Sequence, residues 1–406
     1  MAELVVFSSL FPSAARPAAG LFIRERMFRV ARHRPLVVVS PQPWFPGQAL
    51  IRHFKPGYRP MAPAVESQQG VTIHHPRFLA LPGVLRRLDG WAMALACYFL
   101  LRRLKAEGAR LIDAHFAYPD GEAAARLGRW LGLPVTVTLR GTEVPHSKNP
   151  ALRPRLARTL AAATRVFTVS DSLRRLALEL GAAPEHTEVV GNGVDIQVFQ
   201  PVDRAAARTR FGLPAGAKVL VSVGGLVERK GMHRVIDCLP ALLAHHPDLH
   251  YLVVGGASPE GDMRAELEAQ TARLGVSARV HFLGTMPPAE LKWPLSAADV
   301  FVLATRNEGW ANVFLEAMAC GLPVVTTGVG GNAEVVCRPE LGRVVPFGDA
   351  AALERALDEA LAHDWDRTAI QTYARDNQWD ARVAQLLVAY DRILAADPGS
   401  AGWVRA

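Results

Sequence analysis

One stretch of this 406-residue chain leaves the backbone little choice of path: NEGWANVFLEAMACGLPVV, residues 307–325. Its middle, VFLEAMA, consists of helix formers whose apolar members fall at helical spacing. Asn312 stands where an N-cap is expected, and Gly321 followed by Leu322-Pro323 is a stop signal. The pattern therefore predicts a short helix from about Val313 to Cys320. PVVTT then restarts as a β-branched strand. A helix beginning behind GWAN turns unpaired N–H groups and a positive dipole end toward the loop before it, a place suited to an anion such as a diphosphate. Glu308 lies ahead of those amides and Glu316 one turn into the helix. Carboxylates beside an anion site repel the anion unless they face something else, and sugar hydroxyls are the natural candidates.

The strand–loop–helix alternation recurs along the chain. A strand at Glu3–Ser9 runs into a Pro/Gly/Ala loop and a helix near Leu21, with Gly20 at its entrance. PLVVVSPQPWF (35–45) and GVTIHHPRF (70–78) read as further buried strands, the latter ending in His74 and His75, which are left without a role. LIDAHF and PVTVTLRG are strands, and the first places His115 where a strand leaves its sheet. RVFTVS leads into a helix capped at Ser170-Asp171-Ser172, and VVGNGVD holds a tight Asn-Gly turn. After an Ala/Arg/Pro-rich linker, roughly 201–217, KVLVSVGGLVERKGMHRVIDCLPALL begins the series again. Such a chain is α/β, with doubly wound sheets whose ligand crevices lie at the carboxyl ends of the strands. Its length makes two domains the expectation.

Half of the residues are apolar and 21% are charged, a globular balance. Cys97, Cys238, Cys320 and Cys337 show no paired or metal-ligand spacing. With Cys320 and Cys337 in apolar contexts, reduced buried thiols and a cytoplasm-like compartment are expected. The N-terminus lacks the basic-then-apolar order of a signal peptide, and no run reaches the ~18 apolar residues of a spanning helix. Residues 1–200 hold 26 Lys+Arg against 14 Asp+Glu, a net of +12; the remainder holds 20 against 24, a net of −4, which together make the chain's +8. A basic first half suits an anionic partner. No nucleic-acid motif or aromatic-basic strip appears, so membrane or lipid phosphate is preferred to nucleic acid. The apolar run Trp91–Leu101 within 82–108, flanked by arginines, leaves two readings open: a buried core helix, or one lying along a membrane.

Two glutamates eight positions apart, followed by AMACGLPVV, resemble the Glu-x7-Glu motif of retaining, nucleotide-sugar-dependent glycosyltransferases of the GT-B fold, family 4 or "glycosyl transferases group 1". The resemblance implies two Rossmann-like domains, 1–200 for the acceptor and 201–377 for the donor. It also implies an active site in the cleft between them and a last helix, about 378–406, packed back on the first. By resemblance, Glu308 faces the donor sugar, Glu316 holds the ribose hydroxyls, and Trp310, Ala311, Asn312 and Val313 offer amides to the diphosphate. Lys230 matches the family's Lys-Gly diphosphate contact, while the usual arginine position holds Gly225; neighbouring Arg229 can supply that charge. Leu283 and Met286 fall where the family lines the nucleobase, Gly20 where its Gly-rich loop meets the diphosphate, and His115 where a histidine lies beside the sugar. The family's His-Gly-x-Asp pattern reads Arg140-Gly141-Thr142-Glu143 here.

The implied function is transfer of a hexosyl unit from a nucleoside diphosphate sugar to a glycan or lipid-linked acceptor, in polysaccharide or glycolipid assembly. Neither cofactor nor metal is required, because the cations neutralise the departing diphosphate. The setting is cytoplasmic, with peripheral association to the inner face of an anionic membrane through the basic first domain. The rivals are a GT-B-fold epimerase or phosphorylase, and a non-catalytic nucleotide-sugar-binding protein.

Overall fold

The structure, a computed structural model, describes residues 2–17, 19–54, 58–81, 86–258 and 260–396. Its contacts divide the chain into two compact units. One takes the residues up to Asn192 together with those from Arg382 on, and the other takes Gly193–Ala381.

The first unit is built on strands β1 (Leu4–Phe7), β2 (Leu36–Val39), β3 (Gln42–Trp44), β4 (Val65–Gln68), β5 (Val71–His74), β6 (Arg77–Leu79), β7 (Leu111–His115), β8 (Val135–Leu139), β9 (Arg165–Thr168) and β10 (Thr187–Val189). Eight form one sheet in the order β10-β9-β8-β7-β1-β2-β5-β4, and β3 pairs with β6 in a separate ribbon. Every pair in the large sheet is parallel except β4 with β5, which turn about Gln69-Gly70 with positive φ at both residues. β1 and β2 read LVVF and LVVV and are buried throughout, because a parallel sheet is covered on both faces.

The second unit continues with β11 (Lys218–Val223), β12 (Leu249–Val254), β13 (Val280–Gly284), β14 (Val300–Leu303), β15 (Val324–Thr327) and β16 (Gly342–Val345), all parallel, in the order β13-β12-β11-β14-β15-β16. The chain winds outward one way from β11 and the other way from β14. Their carboxyl ends thus flank a topological switch point, where an open α/β sheet leaves a crevice.

Two expectations need correction. The linker at 201–217 is folded: the helix Arg204–Arg210 is capped by Asp203, whose Oδ1 accepts from the Ala206 amide at 2.7 Å. Its buried Arg208 bonds Asp299 Oδ2 at 3.0 Å, so this Ala/Arg run belongs to the second unit. Cys337 is exposed, while Cys97, Cys238 and Cys320 are buried, and all four are free thiols. His75, at the end of a strand, is buried with Nε2 3.2 Å from Glu66 Oε1. The C-terminal helix Trp379–Ala395 inserts Val383, Leu386, Ala389 and Tyr390 into the core of the first unit. The rest of the expected terminal helix, from 397, lies outside the described residues.

The first unit also buries an arginine. Arg26 is fully enclosed, and its Nη2 donates to the carbonyls of Val190 and Gly191 at 2.8 and 2.9 Å and to Asn192 Oδ1 at 2.9 Å. Removing it takes the donor from two buried carbonyls, while Asn192 Oδ1 keeps Arg140 Nη1 at 3.1 Å. Arg26→Met is expected to cost the first unit about 3 kcal/mol, read as a lower urea midpoint for that unit's transition.

Candidate active site

Three loops meet at the switch point of the second unit, and glycines set how closely. After β11, Gly224-Gly225 leads through the turn Glu228–Lys230 to Gly231, which has φ +78 and opens the helix Met232–His245. A Cβ on Gly231 would lie 2.0 Å from the Ala304 carbonyl oxygen, just beyond β14. After β15, Gly330 (φ +54) touches the carbonyl of Glu308 so closely that a Cβ would come within 1.7 Å. Asn332 secures this loop by donating to Thr326 Oγ1 at 3.1 Å and to the Thr327 carbonyl at 3.0 Å.

These approaches bring Lys230 and Arg229 to Glu308. Lys230 Nζ, Thr305 Oγ1 and Arg229 Nη1 each donate to Glu308 Oε1, at 2.6, 3.1 and 3.3 Å. All three bonds converge on Oε1, and among the described residues nothing donates to Oε2. Arg229 is gripped from its other side by Glu260, with Nε and Nη2 at 2.9 and 2.7 Å from its two carboxylate oxygens. That grip raises the Arg229 pKa and lowers that of Glu260. Two cations and two carboxylates therefore balance. Glu260 is the partner that can leave most easily, its side chain being 53% exposed against 10% for Glu308. Neither Thr305 nor Glu260 stands out in the sequence, because both act through partners distant along the chain.

The helix behind this cluster is Asn312–Ala319. Ala311, not Asn312, is its N-cap, and no side chain caps it. Asn312 already has helical geometry, so the expected start falls one residue late. The first-turn amides lie at Asn312 and Val313, and the nearby Trp310 indole N–H is shielded without an acceptor among the described residues. Glu316 lies one turn in, and burial alone pushes its carboxyl up to about 7. Gly225, at the family's arginine position, lies under the loop that carries Glu260: a Cβ there would be 3.2 Å from Ser258 Cβ. Leu283 and Gly284 (φ +72) end β13 at the sheet's edge and Met286 lies just beyond it, all partly exposed.

Two expected residues lie in the first unit. Gly20 (φ +70) precedes the helix Leu21–Ala31, and a Cβ on it would lie 2.4 Å from the Leu10 carbonyl oxygen, so close packing requires glycine. His115 does not face an open crevice, since its side chain is fully buried. β7 lies inside the large sheet, the chain turns away at Phe116 with φ +71, and Arg140 covers the ring. Arg140 Nε and Nη2 donate to His115 Nδ1 at 3.2 and 3.1 Å, so the proton sits on Nε2, 3.5 Å from Asp113 Oδ2. Burial and the charges of Arg140 and Arg26 drive the imidazole pKa far down. A neutral ring with its acceptor nitrogen engaged has no capacity as a general base. Glu143 supports the cluster by accepting from the amides of Ala117, Arg140 and Gly141 at 2.9, 3.1 and 2.9 Å.

Residues 31–198 match the family described as glycosyltransferase family 4, and residues 203–377 match glycosyl transferases group 1. Two parallel-sheet units of this kind make up the GT-B fold of glycosyltransferases. The chain belongs to family 4 of those enzymes. It is 32% identical over 326 residues to the D-inositol 3-phosphate glycosyltransferase of Acidothermus cellulolyticus, covering 74% of this chain and 72% of that one. Sucrose-phosphate synthase from Thermosynechococcus elongatus superposes with a TM-score of 0.77 at 23% identity, over 97% of this chain and 100% of that one. Anabaena HepE in complex with UDP gives 0.73 at 21%, over 97% and 100%.

Two measurements test this geometry. Gly330→Ala is expected to lower stability by about 1–3 kcal/mol, through backbone strain and the contact with Glu308, visible as a reduced Tm. With Glu316 raised toward 7 in the folded state, its ionised form is penalised there, so the wild type loses stability as pH rises from about 4.5 through 7. Glu316→Gln removes the penalty. Its Tm advantage over wild type should grow across that window and level off above it.

Proposed function

We propose that the chain transfers a hexosyl unit, with retention of anomeric configuration, from a nucleoside diphosphate sugar to a glycan or lipid-linked acceptor. Cell-surface polysaccharide or glycolipid assembly at the cytoplasmic side of a membrane is the proposed setting. The observation that carries this reading is the convergence of Lys230, Arg229 and Thr305 on one oxygen of Glu308 at the switch point. Glu308 Oε2 is left to accept from a sugar hydroxyl, while the two cations stand ready for a diphosphate. HepE, solved with UDP and with UDP-glucose, supports a donor of this class.

In the proposed reaction, Lys230, Arg229 and the first-turn amides at 312–313 stabilise the departing diphosphate as the glycosidic bond breaks. Electrostatic stabilisation of the leaving group is the main catalytic contribution. Because the cations supply the neutralising charge, the reaction proceeds without a metal. Glu316, ionised on binding, accepts from the ribose hydroxyls, a use that suits a partly exposed carboxylate with no donor among the described residues. Glu308 is held in hydrogen bonds rather than poised as a nucleophile, which favours front-face attack by the acceptor over a covalent intermediate. Leu283 and Met286 take the base edge. His115 acts from beneath the surface of the first unit, keeping the end of β7 in place.

The rival readings are a GT-B-fold epimerase, which would release an epimerised sugar without acceptor, and a nucleotide-sugar-binding protein without turnover. Thermal stabilisation by UDP, GDP, ADP and their sugars, with and without a divalent cation, separates these readings when combined with product analysis. We expect one nucleotide to raise Tm regardless of metal, and Lys230→Ala to lower kcat/KM roughly 100-fold. No shift with any nucleotide would reduce the chain to a non-catalytic relative, and a sugar epimer formed without acceptor would favour the epimerase. Glu260→Gln frees Arg229 from its competing carboxylate. It is expected to tighten nucleoside diphosphate binding a few-fold, read as a larger thermal shift at the same ligand concentration.

A further inference from the structure

The helix Asp89–Ala106 carries two apolar stripes. One, with Met93, Ala94, Cys97, Leu101 and Leu104, is buried in the first unit. The other begins at Leu88, just before the helix, and runs through Trp91, Leu95 and Phe99 at steps of three or four residues; it stays in solvent, its members 43%, 41%, 62% and 75% exposed. Of the two readings open for this helix, a core helix accounts for only one side of it. A helix that is apolar all round requires a second apolar layer.

The surroundings indicate what that layer is. Trp130, on the neighbouring helix Glu122–Leu131, widens the stripe, with its ring 5.9 Å from those of Trp91 and Tyr98. Arginines frame the patch: Arg86 and Arg87 precede it, Arg102 and Arg103 follow it, and the Arg126 guanidinium lies 3.8 Å from the centroid of the Trp91 ring. The acids on the same element are Asp89 and, just past its end, Glu107, which is 3.5 Å from Arg103. Tryptophans at the edge of an apolar stripe with guanidinium groups at both ends match the layering of a bilayer interface, where acyl chains, headgroup carbonyls and anionic phosphates succeed one another over a few ångströms. Among the described residues no helix is long and apolar enough to cross a membrane.

We propose that this face of the first unit lies on an anionic lipid surface. Leu95 and Phe99 reach the acyl boundary, Trp91 and Trp130 sit among the headgroups, and the framing arginines pair with lipid phosphate. The surface deepens the proposed function by bringing the enzyme to a lipid-linked acceptor, and it rests on that reading only for the identity of the acceptor.

The test is co-sedimentation of the full chain with vesicles of equal parts phosphatidylglycerol and phosphatidylcholine, and with phosphatidylcholine alone. Wild type is expected to pellet with the anionic vesicles and to be released as salt rises. The double substitution Leu95→Glu with Phe99→Glu should lower the partition roughly 100-fold, since it exchanges two inserted side chains for charges. Arg102→Glu with Arg103→Glu should lower it roughly tenfold or more. All four positions are exposed, so both variants should keep the wild-type Tm.

Failure of wild type to pellet, or pelleting unchanged in both variants, overturns the proposal. So does equal binding to neutral vesicles. Self-association of wild type without vesicle binding, abolished in the Leu95/Phe99 variant, would assign the face to a second copy of the chain instead. Nucleotide thermal shifts on the same samples keep the two readings apart. A protein that pellets but answers no nucleotide loses only the functional reading, and one that answers a nucleotide but stays in solution loses only the docking face.

Discussion

Backbone pressed on backbone at three glycines holds the second unit's loops in place, and the chemistry of the site depends on it. Gly231 lies against Ala304, Gly255 against Gly224, and Gly330 against Glu308, each so close that a Cβ would come within 2.0 Å of a carbonyl oxygen. Lys230 immediately precedes the first of these contacts, its stem lies over Gly224 of the second, and Glu308 is itself a member of the third. The ion pairs come after the glycines in this order. A partly exposed pair contributes at most about 1 kcal/mol net, too little to drag three loops together, whereas an L side chain forced into these positive-φ positions costs about 1–3 kcal/mol before any clash is counted. The backbone brings the loops together, and the side chains then find their partners.

The two units treat charge differently. In the second, cations and carboxylates meet at a partly open place and balance one another, with an exposed glutamate as the displaceable member. In the first, Arg26, Arg140, Asp113 and His115 are enclosed, and burial pushes the Asp113 carboxyl up while the imidazole is kept neutral. Enclosed groups of this kind lose heavily when one partner is removed, so they serve shape; the open cluster can exchange partners, so it serves binding.

What could be read in advance follows from the range of the interactions. The helix behind GWAN, its stop at Gly321 and the strand after it are matters of neighbouring residues, and the sequence pattern locates them to within a residue or so. The alternation of strands and helices identifies the sheets because fully buried strands show as continuous β-branched runs. The pairing of Glu308 with Lys230 and Arg229 joins positions some eighty residues apart, and only the family resemblance placed them together. Glu260 on Arg229 and Arg140 on His115 carried no local signal. The apolar run at Trp91–Leu101 left open which of its sides is covered, since composition counts apolar residues without regard to the direction they face. The same limit misplaced Cys337, whose apolar neighbours turn inward while its thiol does not.

The chain passes from the first unit to the second after Asn192 and returns at Arg382. The two passages run side by side, with the Val194 amide donating to the Asn377 carbonyl at 3.2 Å and the Trp379 amide to the Val194 carbonyl at 3.3 Å. In topology the second unit is thus an insertion near the end of the first. During synthesis the order of completion is reversed relative to the order of the sequence. The later unit holds all its strands once residue 381 has emerged, but the earlier one still lacks Val383, Leu386 and Tyr390. The ring of Tyr390 closes on Phe167, 6.2 Å away, only when the final helix arrives. The half of the protein made first is therefore the last to seal its core, and until then its large, mostly parallel sheet is the part most in need of protection from its neighbours.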